Sequence, residues 1–318
     1  MKTRPSAAPA AHKPKMKIYW AYGLSRDMPG RKKRTRLPDL VDLPDQIEQM
    51  TDDYCARIMG PDIKVTAGWM KETTGLISSL YLGMVNDVHV VNDIIEAERA
   101  GFDAAMLGCN WDPGLLAARE ATTMPVTGPG EAGMMIAQTL GARFGYVTAV
   151  NDGYVPMIER NMRIYGVTDR AIARKAVRKV DLTYEVLMGS VHGTSDKFIT
   201  DFEKAARGCI DDGADVIVAG GQFFGPALLK HRFYTIPNTG VPVVDVTACG
   251  LRLAEALVNL KRTVDLKKSE YITAPFRTPP REILDNARKV FGLVKPEGFS
   301  ARAGGKAGPA PKGGRSKR

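Results

Sequence analysis

The sequence predicts an α/β protein of two pseudo-symmetric lobes, each a mainly parallel sheet flanked by helices, with the active site in the cleft between them. Three observations carry this expectation. Short β-rich runs alternate with amphipathic helical windows, the pattern of parallel strands joined by crossover helices. The chain also repeats itself. AGFDAAMLGCNW (100–111) matches DGADVIVAGGQF (212–223) at an offset of 112 residues, and MPVTGPGEAGMMIAQTL (124–140) matches VPVVDVTACGLRLAEAL (241–257) at an offset of 117. Finally, 318 residues, 44% hydrophobic and 25% charged, are enough for two ordinary domains with a buried core and rule out a disordered or fibrous chain.

The elements follow in order. MKIYWAYG (16–23) reads as the first strand, and 24–43 as a polar loop carrying the basic run Arg31–Arg36. Pro44 opens and Gly60 closes a helix over 45–60. DIKVTAG (62–68) is a strand, HVVNDIIEAERAG (89–101) a helix with a glycine stop, and FDAAMLG (102–108) a strand. A helical stretch at 113–120 precedes the short strand PVTG (125–128) and a helix over 131–141. FGYVTAV (144–150) is a strand and 154–166 a helix, while 168–196 carries no assignment. A helix at 197–213 leads into the buried strand ADVIVAG (214–220). The strand VPVVDV (241–246) and helices at 249–262 and 281–294 complete the chain. The expected division is a first lobe of 17–122 plus 246–296, a second lobe of 123–245, and flexible basic tails at 1–16 and 297–318.

The net charge of +10 resides in those tails. Residues 1–16 carry +4 and 300–318 carry +6 with no acid in either, so the body is neutral. Specific nucleic-acid binding is therefore not expected. No apolar run approaches the ~18 residues of a membrane span, and the first residues lack the apolar stretch of a signal peptide. The four cysteines, Cys55, Cys109, Cys209 and Cys249, form no CxxC pair and the four histidines no HxxxH, so a metal site is not expected. Reduced thiols and a cytoplasmic location are the expectation.

Cys109 directly follows an apolar strand and Gly108, at the strand end where open α/β sheets bind ligands. A following helix N-terminus would depress its pKa, and Asn110 would help hold an oxyanion. The competing reading of Cys109 is a small buried hydrophobe. A literal GxGxxG, Gly128 to Gly133, with Asp152 some 20 residues on, raises a dinucleotide site as a rival. Glu131 at the helix start opposes it, since its charge would meet the pyrophosphate.

MLGCNWDPGLLAARE (106–120), MPVTGPGEAGMMIAQTLGARFGYVT (124–148), ADVIVAGG (214–221) and VPVVDVTACGLRLAEALV (241–258) together resemble the hydantoin and allantoin racemases of the aspartate/glutamate racemase superfamily. The resemblance implies a cofactor-independent isomerase in which two cysteines flank the substrate's α-carbon, with a small carboxylate or cyclic amide as substrate and a homo-oligomeric assembly. It places Cys109 as the first acid/base. Where the racemases carry the second cysteine, this chain has Gly221, and Gln222 follows it. Asn110, Thr148, Gly221, Gln222 and Tyr22 are the expected substrate contacts, and Cys249 the candidate replacement for the missing thiol. Tyr154, Asp245 and Thr247 are further polar candidates. With one thiol, a decarboxylase, lyase or cis–trans isomerase of the same superfamily is the alternative, and a catalytically inactive binding protein a second alternative.

Overall fold

The computed structural model describes residues 14–25, 43–70, 73, 79–149, 154–271 and 275–294. The Arg31–Arg36 run, Asp152 and all of the expected tails except residues 14–16 lie outside these. Two four-stranded, all-parallel sheets organise the chain. The first comprises β1 (Met16–Ser25), β2 (Ile63–Met70), β3 (Ala104–Leu107) and β4 (Val126–Thr127), in the order β2-β1-β3-β4. The second comprises β5 (Phe144–Ala149), β6 (Val177–Val180), β7 (Val216–Gly220) and β8 (Val243–Asp245), in the order β6-β5-β7-β8. The orders are the same element for element, which is the repeat seen in the sequence written into hydrogen bonds.

The crossovers are α1 (Leu43–Ile58), α2 (Leu80–Arg99) and α3 (Leu115–Ala121) around the first sheet. α4 (Pro129–Leu140) follows β4. α5 (Tyr154–Ile164), α6 (Tyr184–His192), α7 (Lys197–Asp211) and α8 (Phe224–His231) surround the second sheet, and α9 (Val246–Val264) and α10 (Arg281–Val290) complete the chain. α4 leaves the first sheet and packs on β7, β8 and β5, whereas α9 leaves the second sheet and packs on β3 and β4. The two helices also lie against each other, so each sheet is covered partly by a helix from the other half of the repeat. β4 stays behind: Ala105 pairs with Val126 and Met106 with Thr127. The expected boundary after residue 122 is corrected accordingly, because the ladder to β3 holds this strand in the first lobe and the chain crosses over only after it.

Local sequence explains several helix starts. Pro129 sits in the first turn of α4, where its missing N–H costs nothing. Asp245 caps α9, its carboxylate accepting from the Thr247 and Ala248 amides at 3.0 and 3.4 Å. α2 begins nine residues before the expected start, at a Ser79 cap whose hydroxyl accepts from the Leu82 amide. The unassigned 168–196 segment contains β6 and α6, and α8 was also not anticipated. β6 reads VRKV, with only Val177 and Val180 buried, and its strand geometry comes from pairing with β5. α8 begins Phe-Gly-Pro, which reads locally as a turn.

The main apolar cluster spans both sheets, from Ile18, Trp20 and Met106 to Val147, Ile217 and Phe224, so the lobes share one core at the base of the cleft. Phe224 is wedged between Phe198 and Phe202, with ring centroids 4.8 and 6.1 Å away. Among the described residues no helix is long and apolar enough to cross a membrane.

Candidate active site

The carboxyl ends of β1, β3, β5 and β7 open onto a cavity of about 220 Å³. One wall is the turn after β3, with Cys109, Asn110 and Trp111; the facing wall is the turn after β7, from Gly221 to Phe224. Tyr22 and Leu24 of β1 contribute to the lining, as do Ala149 and Tyr154 from either side of the β5–α5 connection. The remaining lining is Leu182, Thr183, Tyr184 and Leu187 at the start of α6. The Thr183 hydroxyl caps α6, which fixes that wall. This wall belongs to the segment that carried no assignment, although the Thr183 cap and the apolar run that follows it in DLTYEVLMG (181–189) are a local helix signal.

Cys109 lies 8% exposed at the cavity. The expected depression of its pKa does not occur. Burial raises the thiol well above its ordinary value; the Trp111 and Asn110 amides pull it back, and the Asp112 and Asp87 carboxylates add to the rise. α3 starts only at Leu115, behind a left-handed Gly114, so its N-terminus is not the group at the sulfur. At neutral pH the resting group is a thiol.

Asn110 faces β5. Its Nδ2 lies 3.4 Å from both the Tyr146 hydroxyl and Thr148 Oγ1, and its backbone oxygen accepts from the Tyr146 hydroxyl at 3.2 Å. Thr148, 1% exposed, sits behind Asn110 rather than in the lining, so its expected role as a direct substrate contact is replaced by support of Asn110. Tyr22 presents its ring to the cavity and commits its hydroxyl to Thr51. Gln222 lines the cavity with its Nε2 buried and without a protein acceptor, and its backbone oxygen accepts from Thr247 Oγ1 at 2.9 Å. Tyr154 stacks on Trp111 with centroids 4.4 Å apart.

Cys249 is not brought to the cavity. It lies on α9 against the cluster of Tyr146, Val244 and Val246, and burial, with the neighbouring Asp245 carboxylate, pushes its pKa up to about 12. Cys249 sits in the first turn of α9 on the side that faces the second sheet, and Cys109 is the one thiol in the lining. Asp245 and Thr247 are likewise occupied with capping and packing.

Asp112 is the site residue that the sequence reading missed. It is 5% exposed, in a left-handed conformation (φ 54°) that aspartate tolerates. Its carboxylate accepts from the amides of Gly130 and Glu131 at 2.9 and 2.7 Å and from the Tyr165 hydroxyl at 2.8 Å. The GPGEA stretch therefore receives an aspartate from its own chain. A side chain at Gly128 would overlap that carboxylate, which gives this glycine a steric reason. The dinucleotide reading is overturned, because the helix N-terminus that would bind pyrophosphate is filled by Asp112. Glu131 is paired through both carboxylate oxygens with Arg119, which also donates to the Val126 carbonyl.

Residues 46–254 match the sequence pattern of the family described as Asp/Glu/Hydantoin racemase. The chain belongs to this family. It is a racemase-type enzyme of the isomerase class. The hydantoin racemase of Pseudomonas sp. (strain NS671) is 30% identical over 214 residues, covering 66% of this chain and 80% of that protein. The hydantoin racemase of Rhizobium meliloti is 33% identical over 166 residues, covering 52% and 64% respectively. Among solved structures, the allantoin racemase from Klebsiella pneumoniae superposes with a TM-score of 0.62 at 20% identity, over 83% of this chain and 94% of that one, and so shares the two-lobed fold.

Gly221, in the turn after β7, lines the cavity with Cys109 and has little room for a side chain. A Cβ on Gly221 would overlap the Phe224 ring, itself 1% exposed and held by Phe198 and Phe202. Gly221→Cys is expected to cost about 1–3 kcal/mol of stability through overpacking. Denaturant unfolding reads this, and an unchanged midpoint would show that the aromatic cluster yields freely.

Proposed function

We propose that this chain catalyses cofactor-independent proton transfer at a carbon α to a carbonyl in a small, neutral, cyclic-amide-type substrate, with Cys109 as the group that exchanges the proton. The observation that carries the reading is the cavity's composition: one thiol and, among the described residues, no Lys, Arg, His, Asp or Glu in the lining. A free α-amino acid would bring two charges into this space with no charged partner among the described lining residues, at a cost of several kcal/mol. A cyclic amide brings only C=O and N–H groups, which suit the carboxamides of Asn110 and Gln222, the latter with its Nε2 still free. The volume is below the ~300–1,000 Å³ of drug-sized sites and suits one small ring with a short apolar substituent against Leu24, Leu187 and Phe223. The names of the curated relatives agree with this substrate chemistry.

In the proposed step the Cys109 thiolate takes the α-proton, and the C–H electron pair moves onto the adjacent carbonyl oxygen as an enolate. Reprotonation of carbon completes the turnover and restores the thiolate. Because burial holds the thiol pKa well above 9, the thiolate fraction is small at neutral pH and grows with alkalinity. The exchange rate is therefore expected to rise with pH through 9.

A second reading is favoured by the single thiol and the apolar wall. A carboxylate pressed against that wall would be lost as carbon dioxide, its C–C electron pair forming the enolate, and the Cys109 thiol would deliver one proton. Its pH dependence has the opposite sign, flat while the thiol is protonated and falling as it ionises. Proton NMR in D₂O with 5-substituted hydantoins, amino acids and substituted malonates separates the readings. Loss of the α-proton signal of the hydantoins, steepening with pH, is the expected outcome. Exchange of free amino acids would overturn the neutral-substrate assignment, and malonate decarboxylation would establish the second reading.

A further inference from the structure

Two tyrosine–aspartate contacts join the lobes at corresponding places, and neither is assigned a role by the fold or by the proposed chemistry. Tyr165, at the end of α5 beside the second sheet, donates to Asp112, which belongs to the cysteine turn of the first sheet. Tyr54, on α1 beside the first sheet, donates to Asp245, the last residue of β8 in the second. Each aspartate also holds the first amides of a helix that crosses between lobes: Gly130 and Glu131 of α4 for Asp112, Thr247 and Ala248 of α9 for Asp245. The repeat at an offset of 117 aligns Asp245 with Gly128, the position whose side-chain space the Asp112 carboxylate fills. Asp112 thus does from the neighbouring turn what Asp245 does from within its own strand. The two clasps are equivalent halves of one device.

The first clasp bears directly on the thiol. The turn is closed by the Asp112 amide donating to the Cys109 carbonyl at 2.9 Å. Its successive residues are each held by the second lobe: the Asn110 carbonyl by the Tyr146 hydroxyl, the Trp111 carbonyl by Asn161 Nδ2, and the Asp112 carboxylate by the Tyr165 hydroxyl. The cysteine turn, though it extends the first sheet, takes its position from the second.

We propose that Tyr165 and Tyr54 are positioning residues which, through Asp112 and Asp245, clasp the lobes on either side of the cleft and keep the Cys109 thiol seated and shielded against the facing wall. Cys109 is 8% exposed and is reached through the cavity. Removing one hydroxyl loosens a contact that seats its turn, which raises the exposure of the thiol and its rate of reaction.

The test is the rate at which iodoacetamide alkylates Cys109 in the full-length protein, followed by mass spectrometry of the cysteine peptide. Tyr165→Phe is expected to raise the rate about tenfold or more, and Tyr54→Phe to raise it as well. Val258→Ala, a cavity-forming change at a buried α9 position in the core cluster, is the control for general destabilisation, and it should leave the rate near that of the wild type. An unchanged rate in Tyr165→Phe, or an equal rise in Val258→Ala, overturns the proposal. Because alkylation needs no substrate, this outcome is independent of whether the proposed proton transfer holds. Where it does hold, turnover in Tyr165→Phe should fall in kcat and KM should rise with it, because Asn110 shares the turn that carries the thiol, while Tyr165→Phe leaves Gln222 on the facing wall in place.

Discussion

Cys109→Ala is expected to fold as the wild type does and to lose turnover. The group removed is a single sulfur at the edge of a cavity, so the structural cost is about 1 kcal/mol. The chemistry loses the lining's one thiol, and general acid–base groups of this kind contribute about 10²–10⁴-fold in rate. Among the described lining residues no neighbour substitutes for it. Tyr22 has its hydroxyl committed to Thr51, and burial holds the Tyr154 hydroxyl far above any working pKa. Cys249 lies outside the lining. The paired control is Cys209→Ala. That thiol is fully buried on α7, against the backbone of Gly145 in β5. Its loss should lower stability by about 1 kcal/mol and leave the rate alone. The deuterium-exchange assay reads both variants, and equal activity in Cys109→Ala would remove the thiol from the mechanism.

The second large effect is on the fold. Asp112→Ala leaves the amides of Gly130 and Glu131 and the Tyr165 hydroxyl without their acceptor, at a helix N-terminus whose dipole favours a negative group. Unsatisfied buried donors cost about 1–3 kcal/mol each, so a loss of about 3 kcal/mol or more is expected in denaturant unfolding. A loss below about 1 kcal/mol would mean that water replaces the carboxylate and that the clasp is unimportant to stability. The pH dependence gives a second signature. Burial raises the Asp112 carboxyl to about 7 from its ordinary 3.8, against the pull of Tyr165 and the two amides. Between those values the native state holds a proton that the unfolded chain has released. The contribution of this group to stability is therefore complete below about pH 4 and declines towards pH 7. Asp112→Asn should flatten that segment of the stability profile.

Much of this protein is determined by the sequence alone, because the relevant signals are local or repeated. Alternating β-rich runs and amphipathic windows specify the parallel α/β class, and the offsets of 112 and 117 residues specify two equivalent halves. Cys109 stands out because a cysteine after an apolar strand and a glycine reads as a strand-end position in any parallel sheet. The family too is legible, in the GCNWDPG and GPGEA stretches.

What only the tertiary structure decided depends on contacts between distant residues. β6 and α8 lack a strong local pattern and take their form from β5 and the aromatic core. The packing of the first turn of α9 against Tyr146, Val244 and Val246 keeps Cys249 out of the lining, although the repeat alone left it a candidate for the second thiol. Asp112 is unremarkable as one letter of a loop, and becomes a helix cap and lobe contact because the fold brings Gly130, Glu131 and Tyr165 to it. The protonation of Cys109 follows the same logic: a strand-end cysteine looks reactive by position, but desolvation and two nearby carboxylates hold its proton in place. Pattern is carried by the order of residues, whereas burial and charge at a site are set by which residues the folded chain brings together.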